Sequence, residues 1–231
     1  PVRMDDGTLR VFRSARVLHS NSRGPAAGTL RLLPGADANL AFALANFATW
    51  TSALMGVPFG GACGVIDCDP NGLTPREYEK LIRRFASRAH VVLGPYQDVT
   101  IASTATEAAL LFDEYSSLHG SMPASVAGKS PEQGGAEDFS VVQPRGAAIA
   151  LRETAKHYAH EVQDLTVAIV ATSHTAADYV QEFTAFGFRV VALSDGRRAL
   201  HDQQGITPAS VSELLDQTDP GGRTGIDSVL S

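Results

Sequence analysis

Between residues 58 and 70 the chain reads Pro58-Phe59-Gly60-Gly61-Ala62-Cys63-Gly64-Val65-Ile66-Asp67-Cys68-Asp69-Pro70. The glycines constrain everything around them. They give the backbone dihedrals and close approaches that other residues forbid. The stretch therefore predicts a turn leading from the helical run Asp37 to Met55 into a short apolar strand at Val65 to Asp67, with the Cys63 side chain presented to a cleft.

The flanking segments alternate strand and helix. Asp6-Gly7 is a turn signal between Val2-Arg3-Met4 and an alternating run from Leu9 to Leu18, and a third strand is expected at Thr29 to Leu33. Helix one opens at Asp37, a good N-cap, and carries Leu40, Leu44, Phe47, Thr51 and Leu54 at helical spacing. Thr74-Pro75-Arg76-Glu77 is a capping box with proline at the first helical position, and predicts an amphipathic helix to about Ala89. From His119 to Arg145 the chain is rich in Gly, Pro, Ser and Ala, the composition of a connection between domains. Helix-period residues follow from about Ala147 to His160. A strand at Thr166 to Val170, a helix to about Phe186 and a strand from Arg189 to Leu193 then make a β-α-β unit of the size used for dinucleotide binding. Ile206 to Leu215 reads as a short helix and Asp216 to Ser231 as a polar tail.

Composition narrows the function classes. At 231 residues, 44% hydrophobic and 19% charged, the chain can form one large or two small domains with real cores. A formal charge of -6 argues against nucleic acid and anionic membranes as partners, because both call for a basic face. No run of about twenty apolar residues and no secretion signal is seen, so a cytoplasmic location is expected. Cys63 and Cys68 are too few for a disulfide framework or a zinc site and are read as reduced thiols. Lysine occurs only at Lys80, Lys129 and Lys156, so any lysine-dependent chemistry must use one of these.

The glycine stretch resembles the substrate-lysine turn of the glutamate, leucine, phenylalanine and valine dehydrogenases, which runs Gly-Gly-Ala-Lys-Gly and then Asp-Pro. Cys63 stands at the lysine. The opening residues Pro1 to Gly7, with Phe12, Arg16-Val17 and His19, are also similar to the start of that family's substrate domain. Further on, Gly24-Pro25-Ala26-Ala27-Gly28 resembles Gly-Pro-x-Lys-Gly with Ala27 at the lysine, and Thr49-Trp50-Thr51 places Thr51 where a third family lysine follows the tryptophan. In the family two of these lysines pair with substrate carboxylates and the third acts at the reacting carbon. Their replacement removes three positive charges from one pocket, and a small dicarboxylate would lack its charge-assisted partners there. Gly94-Pro95-Tyr96-Gln97-Asp98 resembles the entry to the family's catalytic aspartate loop, which here is about three residues shorter and carries Ser103 at the aspartate position.

The resemblance continues into the second half. Gly128-Lys129, Gly134-Gly135 and Arg145-Gly146 fall on family phrases, with Ala136 and Gln143 at hydroxyl positions that touch the nicotinamide. The Gly-x-Gly-x-x-Gly turn expected after the first nucleotide-domain strand reads Ala171, Ser173 and Ala176, whose side chains would crowd a pyrophosphate, and Asp195 sits where a ribose partner belongs. The fold class implied is α/β: an N-terminal α/β substrate/dimerisation-type domain (1–125), a hinge (126–146), an incomplete Rossmann-like β-α-β domain (147–216) and a tail (217–231). Such a chain would be a natural remnant, a truncated gene product or a segment of a longer protein.

Simpler readings weigh against new chemistry at individual residues. Cys63 is foremost a small thiol filling the space of a lysine, since a reactive thiolate needs a base or cation beside it. His19 is read as scaffold, the pair His157 and His160 as a solvated helix end, and Asp113 and Glu114 as helix surface. No metal site is expected, and no cofactor is expected to bind well. The reading reached is a glutamate dehydrogenase-like protein that has lost oxidative deamination and acts as a regulatory or structural partner of an active paralogue, in a homo- or hetero-oligomer, or survives as a remnant. The alternatives are an active NAD(P)-dependent amino-acid dehydrogenase with a substituted site, for which Lys129 is the one conceivable surrogate amine, and an amino-acid sensor.

Overall fold

The computed structural model describes residues 1–136, 139–171, 173–194 and 199–211. The chain divides into two compact units, one up to residue 137 and one from residue 138.

The first unit opens with a two-stranded antiparallel ribbon, β1 (Val2–Arg3) and β2 (Leu9–Arg10). Its main sheet contains β3 (Ser14–Ser20), β4 (Ala26–Leu32), β5 (Gly60–Ile66), β6 (Asp98–Ile101) and β7 (Val126–Ala127), in the order β3-β5-β4-β6-β7. β3 runs antiparallel to β5, and the other pairs are parallel. Three helices cover this sheet: α1 (Ala38–Leu54), α2 (Pro75–Ala89) and α3 (Ala105–His119).

Alternation along β5 divides the core into two layers, because successive side chains of a strand point to opposite faces. Cys63 and Val65 pack with Ala36, Ala41 and Ala45 under α1. Ile66 faces the other way, into a cluster with Leu30, Leu81, Ile82, Phe85 and Leu111 beneath α2 and α3. The glycine-dense stretch is thus a fully buried central strand, where a turn was expected. Its glycines serve close packing. A Cβ on Gly61 would lie 2.3 Å from both the Ala45 carbonyl oxygen and the Thr49 nitrogen, so α1 can rest on β5 only with hydrogen there.

The same closeness decides which face of α1 is buried. Only Ala41 and Ala45 are fully inside, whereas Phe47, Trp50 and Leu54 are 72%, 67% and 87% exposed. Of the residues at helical spacing, Leu44 packs at the edge of this cluster, while Phe47 and Leu54 mark the outer face, because the sheet surface under Ala41 and Ala45 is too near to admit them. Asp37 does cap α1, accepting from the Leu40 amide. At α2 the Thr74–Glu77 capping box forms as the sequence predicts.

Other boundaries differ from expectation. The run Leu9 to Leu18 divides between β2 and β3, and the strand expected from Thr29 starts at Ala26.

The second unit holds α4 (Phe139–His157), β8 (Thr166–Val170), α5 (Ser173–Ala185), β9 (Arg189–Ser194) and β10 (Ala199–His201). α4 starts well before Ala147 and contains Pro144 at its sixth residue, past the first turn, where proline leaves one helical carbonyl without its amide partner. β8 and β9 pair in parallel, as the β-α-β pattern requires, and β10 adds an antiparallel strand that the sequence did not reveal. Val167, Ile169, Ala176, Val180, Phe183, Val190 and Leu193 form the core. A helical turn starts after Thr207, whose hydroxyl accepts from the Ser210 amide. The remainder of the helix expected to Leu215, and the tail from Asp216, lie outside the described residues.

Candidate functional site

The sheet of the first unit is organised by one buried ion pair. Arg16, on edge strand β3, extends beneath β5 and β4 and grips Asp98 at the start of β6, with Nε donating to Oδ2 at 2.6 Å and Nη2 donating to Oδ1. Nη1 and Nη2 also donate to the carbonyls of Thr29 and Gly28, so the guanidinium is almost fully bonded. Gly64 makes room for it: a Cβ there would stand 3.1 Å from Nη1 and 3.2 Å from Cδ of Arg16. Neither partner was singled out by sequence reasoning as a buried charge, and no local pattern could have linked residues 82 apart.

The residues expected in a substrate pocket are dispersed in character. Cys63 is 1% exposed beneath α1, so it is enclosed by the core where a side chain facing a cleft was expected. Its Sγ donates to the Gly64 carbonyl at 3.5 Å, and burial pushes the thiol up from its ordinary range. Ala27 is half-buried on β4, opposite Gly61 of β5. Thr51 is exposed on α1. Ser103 precedes the α3 N-cap Thr104, and its hydroxyl makes a long contact, 3.5 Å, to the Leu30 carbonyl. His19 is held between Thr49 Oγ1, 2.9 Å from Nδ1, and the Asn46 amide, 3.3 Å from Nε2, both on α1.

Lys129 lies far from the role of a surrogate amine. It is 3% exposed; Nζ donates to the Pro123 carbonyl at 2.7 Å and to the Val126 carbonyl, and sits 5.4 Å above the Phe112 ring. Desolvation pulls its pKa down, yet both bonded carbonyls belong to the segment that delivers β7. Both bonds therefore close the turn within residues 123–129, and the Phe112 ring of α3 is its contact outside that segment.

A buried acid with an unpartnered oxygen also went unnoticed in the sequence. Glu107, in the first turn of α3, is 2% exposed, with Oε2 accepting from Tyr78 Oη at 3.3 Å and Oε1 without a partner. Burial, against the smaller opposing effect of the Tyr78 hydrogen bond, raises its pKa to about 7. Asp113 and Glu114 do lie on the surface, gathered around Arg83 of α2.

In the second unit, Ala171 follows β8 and donates its amide to the Ser194 carbonyl, while Ala176 is buried in the core where α5 crosses the sheet. Gln143 is exposed on α4, and Ala136 is exposed at the end of the first unit. Ser173 opens α5; Asp195 lies outside the described residues. Among the described residues no three histidines, cysteines or carboxylates gather as metal ligands, and no helix is long and apolar enough to cross a membrane.

Residues 1–117 match the family described as Glu/Leu/Phe/Val dehydrogenase, dimerisation domain. The chain belongs to the Glu/Leu/Phe/Val dehydrogenase family.

Its relatives within the family include glutamate dehydrogenases. The chain is 35% identical over 227 residues to glutamate dehydrogenase A2 of Halobacterium salinarum, covering 96% of this chain and 54% of the relative. It is 37% identical over 210 residues to glutamate dehydrogenase B of the same organism, covering 89% and 49%. Among solved structures, the hetero-hexameric glutamate dehydrogenase of Thermus thermophilus in a leucine-bound form superimposes with a TM-score of 0.88 at 32% identity, over 97% of this chain and 54% of that one. The chain thus spans about half the length of the curated relatives it matches.

Proposed function

We propose that this member of the family does not itself carry out oxidative deamination and serves as a regulatory or structural subunit beside a catalytic paralogue. The observation that carries the reading is the chemistry at Cys63. A thiol stands there where the family resemblance puts the reacting amine, it is enclosed by the α1 layer, and burial keeps it protonated. Ala27 and Thr51 offer no cation to a dicarboxylate, and the Nζ of Lys129 is bonded to main-chain carbonyls. Ala171 and Ala176 also leave the turn after β8 without the glycines that admit a pyrophosphate, which disfavours NAD(P).

Association is favoured by the outer face of α1. Phe47, Trp50, Leu54 and Met55 are each at least 67% exposed, an apolar stripe of the kind that soluble chains bury against partners. One structurally similar glutamate dehydrogenase is a hetero-hexamer.

The test has two arms. Glutamate, leucine and phenylalanine oxidation with NAD and NADP is measured on the purified chain and on the Ala27→Lys/Thr51→Lys/Cys63→Lys variant. The chain is then mixed with a catalytic paralogue, and size and activity are followed. The reading expects no turnover alone and a mixed oligomer with altered kinetics. Turnover by the unmodified chain would overturn it.

A further inference from the structure

The C-terminal ends of α2 and α3 converge on two imidazoles. His90 is the C-cap of α2 and His119 the last residue of α3, and Nδ1 of the first lies 3.0 Å from Nε2 of the second. The ring centroids are 5.1 Å apart. Tyr115, one turn back on α3, stacks on His119 with centroids 4.6 Å apart. The pair borders a groove of about 400 Å³ that Gly94, Tyr96 and Met122 also line.

We propose that His90 and His119 bind one divalent late transition ion, of the nickel-to-zinc class, with water in the groove completing its coordination. Three physical points support the site. Imidazole nitrogens at about 2.0–2.1 Å from a shared ion stand roughly 2.9–3.4 Å apart when the angle between them is about 90–109°. The observed separation falls in that window, so only the ring directions need adjust. Second, each helix presents the negative end of its dipole here, which favours a cation over an anion. Third, His119 is exposed and His90 half-buried, so an ion and its waters can enter from solvent.

The proton balance is simple. In the neutral pair one ring donates N–H to the lone pair of the other. Binding requires both facing nitrogens as lone pairs, so the donor ring moves its proton to its far nitrogen through solvent, and no proton is lost overall. Among the described residues no third histidine, cysteine or carboxylate joins the pair, which sets the class of ion: imidazole and water suit nickel, copper and zinc, and poorly suit calcium or magnesium. Such an ion would tie the ends of α2 and α3 together.

Calorimetric titration of the full chain with Ni²⁺ and with Zn²⁺ tests the site, alongside His90→Gln, His119→Gln and a His157→Ala/His160→Ala control, each checked for folding by circular dichroism. The wild type and the control should bind one equivalent in a tightest step and melt at higher temperature with the ion present. Both glutamine variants should lose that step and the melting shift together. Absence of saturable binding by the wild type, or its retention by either glutamine variant, would overturn the proposal.

Discussion

Arg16 of β3 and Asp98 of β6 form a two-point ion pair that crosses beneath two intervening strands, with the side chains 4% and 0% exposed. The pair fixes the outer antiparallel strand to the parallel part of the sheet. Removing one partner leaves a buried charge uncompensated, which costs about 3–5 kcal/mol. Arg16→Met and Asp98→Asn should each lower the unfolding free energy, measured by urea denaturation, by an amount in that range. The double variant Arg16→Met/Asp98→Leu should recover part of the loss, because neither charge then remains.

Gly61 and Gly64 should respond differently to a single methyl. On Gly61 the new carbon meets main-chain atoms of α1 at 2.3 Å, and a helix backbone cannot step aside locally. On Gly64 it meets side-chain atoms of Leu30 and Arg16 at 2.9 and 3.1 Å, which can shift. Gly61→Ala should therefore destabilise the chain by more than the roughly 1–3 kcal/mol usual for overpacking, and Gly64→Ala by about that amount. Chemical denaturation of the two variants side by side checks the order.

Glu107 makes stability depend on pH. Its carboxyl takes up protons more readily in the folded chain, near 7, than at the ordinary 4.5, so the folded state holds more protons across that interval. Stability contributed by this group is complete below about 4.5 and declines as pH rises through 7, by up to about 3 kcal/mol. Glu107→Gln should flatten that part of the stability profile; an unchanged slope would assign it to other groups.

Cys63 and Cys68 should resist a thiol reagent in the native chain. Both are buried, and burial raises both thiols. The reaction rate at neutral pH is expected to follow global opening, rising to that of a free thiol only as denaturant approaches the unfolding midpoint. Rapid labelling of Cys63 in buffer would mean that the α1 layer opens locally.

Lys129 should behave as a structural cation. Lys129→Met keeps the volume near Phe112 but strips the donor from the Pro123 and Val126 carbonyls, at a cost of about 1–3 kcal/mol. The loss should appear in the melting temperature of the first unit.

Local signals carried much of the architecture. The Thr74 capping box, the Asp37 cap and the β8-α5-β9 pattern need only neighbours in sequence to be read, and each appears where its residues predict. What escaped was set by distant contacts. Gly60-Gly61-Ala62-Cys63-Gly64 has the composition of a turn; it is a strand because α1 and the Arg16 side chain lie against its two faces. Leu40, Phe47 and Leu54 carry helical periodicity, but periodicity names a stripe without saying which side is water. β7 and β10 are too short for alternation to register. At the candidate site, Cys63, Ala27 and Thr51 could be placed by motif, whereas the enclosure of Cys63 and the bonding of Lys129 depend on tertiary packing alone.

The alanine-lined underside of α1 separates two properties that most helices combine. Its seat on the sheet is specified by Ala41, Ala45 and the glycine opposite, so substitutions at Phe47, Trp50 or Leu54 leave that seat untouched. The outward stripe is therefore free to be rewritten residue by residue without an internal repacking to match, and a chain built this way can change the company it keeps while remaining the same fold.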